Sequence, residues 1–173
     1  MWHYARGLAL AAKGKPDEAV AERKALDESA ASVSPDLMVG PNNKAPAITK
    51  LASQVLAGAI ASARGDRDEA IRDYTEAVRL QDALGYDEPP SWYYPVRETL
   101  GAELLANKQA APAEAVYRED LKRNPDNPRS LYGLAEGLRA EGKAEEAAKV
   151  EERFNKGWSH ADITLAPEKV AAQ

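Results

Sequence analysis

Apolar and polar residues follow one another along this chain with a helical rather than a strand period. Leu131, Leu134 and Leu138 fall at intervals of three and four, which places them on one stripe of an α-helix. Ala- and Leu-rich stretches of this kind recur, separated by short polar turns: KGKPDEA at 13–19, RGDRDEA at 64–70 and EGKAEEA at 141–147. Each turn supplies a glycine, a polar residue or two, an acidic helix start and then an alanine, the mark of a helix–turn–helix hairpin. The pattern predicts helices at 2–12, 15–31, 46–63, 67–83, 95–107, 111–123, 128–140 and 144–157. Two stretches break it. SVSPDLMVGPNNKA (32–45) has the Pro, Gly and Asn content of a loop, and the segment 84–93 runs into EPPSWYYPVRE, where Trp92, Tyr93 and Tyr94 stand side by side between prolines.

The turn glycines Gly14, Gly65 and Gly142 are 51 and 77 residues apart. The first spacing is 34 plus 17, the second twice 34 plus 9, so a 34-residue unit with two insertions accounts for both. The second spacing demands a further turn at Lys108, inside LLANKQAAPAEAVYREDLKRNPDN. Leu100, Gly101, Leu104, Ala113, Tyr117 and Pro125 surround it; Gly58, Ala70, Tyr74 and Ala77 take the same places earlier, as do Gly7, Leu10 and Ala19, and later Leu131, Leu134, Leu138, Ala147 and Phe154. These residues resemble the tetratricopeptide (TPR) pattern. The resemblance implies an all-α fold, a right-handed α-solenoid of about four helix-turn-helix units at about 1–33, 51–84, 94–127 and 128–161, with insertions at about 32–45 and 84–93 and a C-terminal cap or tail at 162–173. The chain also resembles the C-terminal part of long, functionally uncharacterised bacterial TPR proteins. Met1 falls almost inside the first helix, so the sequence reads as a fragment of a longer chain, a naturally short start being the alternative.

Composition narrows the function classes. The formal net charge of −5 is spread along the chain with both signs mixed, which argues against a nucleic-acid footprint. No apolar run approaches the ~20 residues that span a bilayer, so membrane insertion is not expected. With no cysteine there is no disulfide and no thiolate ligand, and the compartment stays open: a soluble chain, in the cytoplasm slightly before the periplasm. No cofactor is expected.

Candidate chemistry is sparse. His3 takes the place of a packing aromatic, and His160 beside Asp162 lacks the three protein ligands that a metal site needs, so no metal site is assigned. Glu98 and Glu136 are the one carboxylate pair that acid–base work would use, and the phosphate-binding glycine loop and the serine elbow are both missing, so no catalytic residue is assigned. In the TPR family the first helix of each unit lines a concave groove. The resemblance places Tyr4 and Leu8 there, then Val55, then Pro95 and Glu98, then Arg129, Tyr132, Glu136 and Arg139. A Lys/Asn clamp for a C-terminal carboxylate is excluded, because Tyr4, Val55, Glu98 and Tyr132 occupy one clamp position and Leu8, Ala59, Ala102 and Glu136 the other. Arg129 and Arg139 either meet an acidic peptide or pair with Glu136 and nearby acids. Tyr74 and Tyr117 are core positions. Pro95 suits the first turn of a helix, and Tyr94 before it is pushed to an extended conformation. Trp92 and Tyr93 therefore ride on an extended lead-in and point to opposite sides, one inward and the other open to a partner.

The leading expectation is a protein-interaction scaffold, not an enzyme, that binds a peptide or helix in the groove through Tyr4, Leu8, Val55, Trp92, Tyr93, Glu98, Arg129, Tyr132, Glu136 and Arg139. The alternatives are a purely structural C-terminal cap of a longer solenoid, with self-association through the N-terminal end face, and a small-ligand or enzymatic site inside the superhelix.

Overall fold

The computed structural model describes residues 1–165. Among them are eight helices, α1 (Trp2–Ala12), α2 (Pro16–Ala31), α3 (Ala45–Ala63), α4 (Arg67–Asp82), α5 (Val96–Ala106), α6 (Ala110–Arg123), α7 (Pro128–Ala140) and α8 (Ala144–Trp158), and one short antiparallel pair, β1 (Met38–Val39) with β2 (Asn43–Lys44). The fold is all-helical, with consecutive helices packed on one another. Residues 166–173 of the expected tail lie outside the described part. The chain separates into two compact units, Met1–Val96 and Arg97 onward.

Local chemistry explains the helix ends. Pro16 and Pro128 begin α2 and α7, where a missing N–H costs nothing. Asp66 caps α4 by accepting the Glu69 amide at 3.0 Å, and Asn127 caps α7 by accepting the Arg129 amide at 3.1 Å. Four helices end in the same way. The amides of Gly14, Gly65, Lys108 and Gly142 each donate to the carbonyl three residues back, and the next residue donates to the carbonyl five back, the Schellman arrangement. All four residues have positive φ, from 59° to 80°. At Lys108 a side chain occupies a left-handed position that glycine holds at the other three turns.

Five residues after each turn sits an alanine: Ala19, Ala70, Ala113 and Ala147 are 0–1% exposed, so no larger side chain fits. Close helix approach is set by glycine facing tyrosine. In the first unit Gly58 lies under the Tyr74 ring; in the second Gly101 and Gly133 both face Tyr117, and a methyl group at either would overlap that ring. In the first unit α1 packs on α2 and α3, and α3 on α2 and α4; in the second, α7 packs on α6 and α8.

Two sequence expectations change. The insertion at 32–45 is not a plain loop: it forms the β1–β2 hairpin, with Met38 opposite Lys44 and Val39 opposite Asn43, turning through Gly40 at φ +78°. Pro95 stands immediately before α5 rather than in its first turn, where Gln81 takes over the work of a cap. Its Oε1 accepts the Val96 amide at 2.8 Å and its Nε2 donates to the Tyr94 carbonyl at 2.8 Å.

Candidate functional site

In the first unit the two inserted segments are clasped together by hydrogen bonds between residues 42–52 positions apart in sequence. Asn43, almost fully buried, is the centre. Its Nδ2 donates to the Gly85 carbonyl at 2.8 Å and to Asp87 Oδ2 at 2.7 Å, and its Oδ1 accepts the Gly85 amide at 2.8 Å. Asp87 also accepts the Ser91 hydroxyl at 2.6 Å and the Asn42 amide at 3.1 Å. These bonds, with Ser91 first among them, hold the Asp87 carboxyl below the usual aspartate range. Asn42 Nδ2 adds a bond to the Tyr86 carbonyl at 2.6 Å.

Both segments of the clasp carry exposed apolar side chains. Leu37, Met38, Val39, Tyr86 and Tyr93 are all exposed, and all five belong to the inserted segments or to the aromatic run that follows them. Scattered exposed hydrophobics are ordinary; several gathered on two segments that hold each other are not. Behind them the aromatic run divides. Trp92 is 4% exposed and Tyr93 68%. The Trp92 ring packs at 5.5 Å on Tyr4, 5.5 Å on Tyr93 and 6.1 Å on Tyr94, in the tilted geometry that aromatic pairs favour. The Tyr4 and Tyr93 hydroxyls meet at 3.2 Å. Burial, then the neighbouring tyrosines, push the Tyr4 hydroxyl far above its ordinary value, so it stays protonated.

Tyr4, Val55, Trp92 and Glu98 are buried, which corrects their assignment as partner contacts: each is enclosed by packing that the linear pattern does not show. Tyr4 is the floor on which Trp92 rests, and Val55 lies on a face of α3 enclosed together with Leu51, Leu56 and Ile60. Leu8 is half-buried on α1. Tyr132 packs against Phe154 at 5.5 Å in a tilted arrangement, and Phe154 in turn stacks with Trp158 at 5.8 Å. Arg139 is exposed, yet it is held by Glu136 and by Glu151, the latter at 2.6 Å. Tyr93, Arg139 and the half-buried Leu8, Arg129, Tyr132 and Glu136 remain within reach of a partner. His3 Nδ1 donates to Glu22 at 2.8 Å, and Glu22 also meets Arg6 at 3.2 Å, a structural use of the histidine.

In the second unit a polar cluster joins α5, α6 and α7. Asn127 Nδ2 donates to Glu98 Oε1 at 2.8 Å and to Asp120 Oδ2 at 3.0 Å. Asp120, fully buried, also accepts Ser130 Oγ at 2.6 Å and Asn124 Nδ2 at 2.8 Å. Burial raises the Glu98 carboxyl above its ordinary value, against the pull of Asn127 and Arg129. Among the described residues no group of three or more His, Cys, Asp or Glu side chains is placed to hold a metal ion, and no helix is long and apolar enough to cross a membrane.

Comparison with protein-family models, with curated proteins and with solved structures returns no match for this chain. Sequence reasoning missed Asn43, Asp87 and Ser91 altogether. The only signal available was the apolar run Leu37-Met38-Val39, out of place in a segment otherwise rich in Pro, Gly and Asn.

Proposed function

We propose that this chain is a protein-interaction scaffold made of four TPR-type helical hairpins, which in that family stack as a right-handed α-solenoid, and that its partner binds on the clasped insertions. Four identical helix-ending turns and four fully buried alanines at matching places support the repeat reading. The observation that carries the function is the gathering of Leu37, Met38, Val39, Tyr86 and Tyr93 on two segments that the Asn43–Asp87 clasp holds in place. Apolar side chains presented on an ordered platform lose little conformational entropy on binding, the economy that interaction surfaces use. The partner is a protein or peptide with an apolar contact face; neither a cofactor nor a reaction enters this reading.

The test is quantitative capture of partners by the full reading frame, run beside Met38→Ser/Tyr86→Ser and Arg129→Glu. The clasp reading expects a protein retained by wild type and by Arg129→Glu and lost from the double variant. Retention by the double variant with loss from Arg129→Glu returns the contact to the expected groove. Equal recovery by all three rejects both surfaces.

The structural-cap reading has one observation in its favour. The chain after α8 folds back, Trp158 Nε1 donating to the Ile163 carbonyl at 2.9 Å while Leu165 is buried. The turn keeps the Trp158 ring against the chain that follows α8.

A further inference from the structure

The cluster around Glu98 belongs to the second unit and takes no part in the clasp. Its hydrogen bonds are unevenly shared. Asp120 receives three side-chain donors, from Ser130, Asn124 and Asn127. Glu98, only 5% exposed, receives one among the described residues, on Oε1 from Asn127 at 2.8 Å. Its other oxygen, Oε2, faces Arg129 Nε at 4.0 Å, beyond hydrogen-bond length. Arg129 Nη1 is enclosed and has no acceptor among the described residues. Oε2 therefore has two fates open to it: to accept from the guanidinium as a carboxylate, or to carry a proton.

We propose that Glu98 is a proton switch for Arg129, drawing the guanidinium inward when ionised and releasing it at the start of α7 when protonated. The charged and titratable groups that bear on it within the second unit are Tyr117 and Asp120 on α6 and Arg129 on α7. Tyr117 reaches the Glu98 carbonyl at 3.5 Å, so it contacts the backbone rather than the carboxyl. Asp120 opposes ionisation of Glu98, and Arg129 is the cation that favours it. The enclosure of Glu98 works in the same direction as Asp120, so proton uptake lies above the ordinary glutamate range. The consequence is a cation at the head of α7 whose availability follows the protonation of Glu98, whatever binds the clasp in the first unit.

The experiment is NMR titration of the full chain, following the Glu98 carboxyl carbon and the Arg129 and Arg139 Nε–H signals, all assigned through bonds in the wild-type protein. The expected result is a Glu98 midpoint above the ordinary glutamate value, an Arg129 Nε–H inflection at that same midpoint, and no such inflection at Arg139. In Glu98→Gln, Arg129 should stay at its acid-limit position throughout. A Glu98 midpoint in the ordinary range, an Arg129 signal that ignores it, or an Arg129 titration that survives in Glu98→Gln each overturns the proposal; the first two are read without the variant.

Discussion

Replacing Asn43 by Ala tests whether the clasp is a structural joint or a surface coincidence. The amide makes three short bonds across it: Nδ2 to the Gly85 carbonyl at 2.8 Å, Nδ2 to Asp87 at 2.7 Å, and Oδ1 from the Gly85 amide at 2.8 Å. Each such bond contributes roughly 1 kcal/mol net, and truncation leaves the Gly85 groups and Asp87 without these partners, so the loss is about 3 kcal/mol. For a chain of this length that lowers the thermal midpoint by roughly 6–12 °C. Urea unfolding followed by Trp92 emission in a Trp2→Phe/Trp158→Phe background measures the loss in the first unit, and limited proteolysis reads the release of the 32–44 segment. Two further variants sharpen the result. Asn42→Ala, at an exposed residue, costs well under half as much. Asn43→Asp keeps the shape but sets a carboxylate against Asp87 and the Gly85 carbonyl, and so destabilises at least as much as Ala at neutral pH. A loss below about 1 kcal/mol for Asn43→Ala, or unchanged proteolysis, would mean that water replaces these bonds freely and that the insertions are not held together by them.

Three further outcomes follow from the geometry. Lys108→Gly relieves a left-handed residue and should stabilise by about 0.5–1 kcal/mol, whereas Gly142→Ala at the matching turn, with open space around it, should cost about 1 kcal/mol through φ alone; chemical denaturation giving the same sign for both would contradict equivalence of the turns. Trp92→Ala should cost about 3–5 kcal/mol as a buried ring is removed, and Tyr93→Ala far less, so comparable losses in urea unfolding would mean that the division between inward and outward rings is misplaced. Because the Glu98 pKa is raised on folding, its contribution is fully present below the unfolded glutamate value and is lost as pH rises through the folded one. Glu98 should therefore make stability fall across that interval more steeply, or rise less, in wild type than in Glu98→Gln, whose Oε1 still accepts from Asn127; equal slopes in the two proteins would remove Glu98 as the source.

The helices were legible almost to the residue because their signals are local. Three- and four-residue apolar spacing, acidic helix starts and turn glycines act within one or two turns of chain, and the Lys108 turn was found from spacing even without its glycine. The 32–45 insertion was legible only as irregular. Its pairing with 84–93 is made by Asn43, Asp87 and Ser91, residues common in loops, over a separation of more than forty positions. No periodic pattern encodes such a bond.

The aromatic run shows where local chemistry stops. Pro95 and the extended backbone before it are enough to send Trp92 and Tyr93 to opposite sides. Which side is the core depends on Tyr4, whose ring meets Trp92 from a helix some ninety residues earlier. Glu98 repeats the lesson: the groove position expected for it comes from register along α5, but its surroundings are set by Asn127 and Arg129 at the start of another helix. Periodicity, turns and small residues at crossings therefore belong to the chain alone, because they act between neighbours. The clasp, the orientation of Trp92 and the enclosure of Glu98 belong to the tertiary structure, because burial and hydrogen bonding are properties of side chains that folding brings together from distant positions.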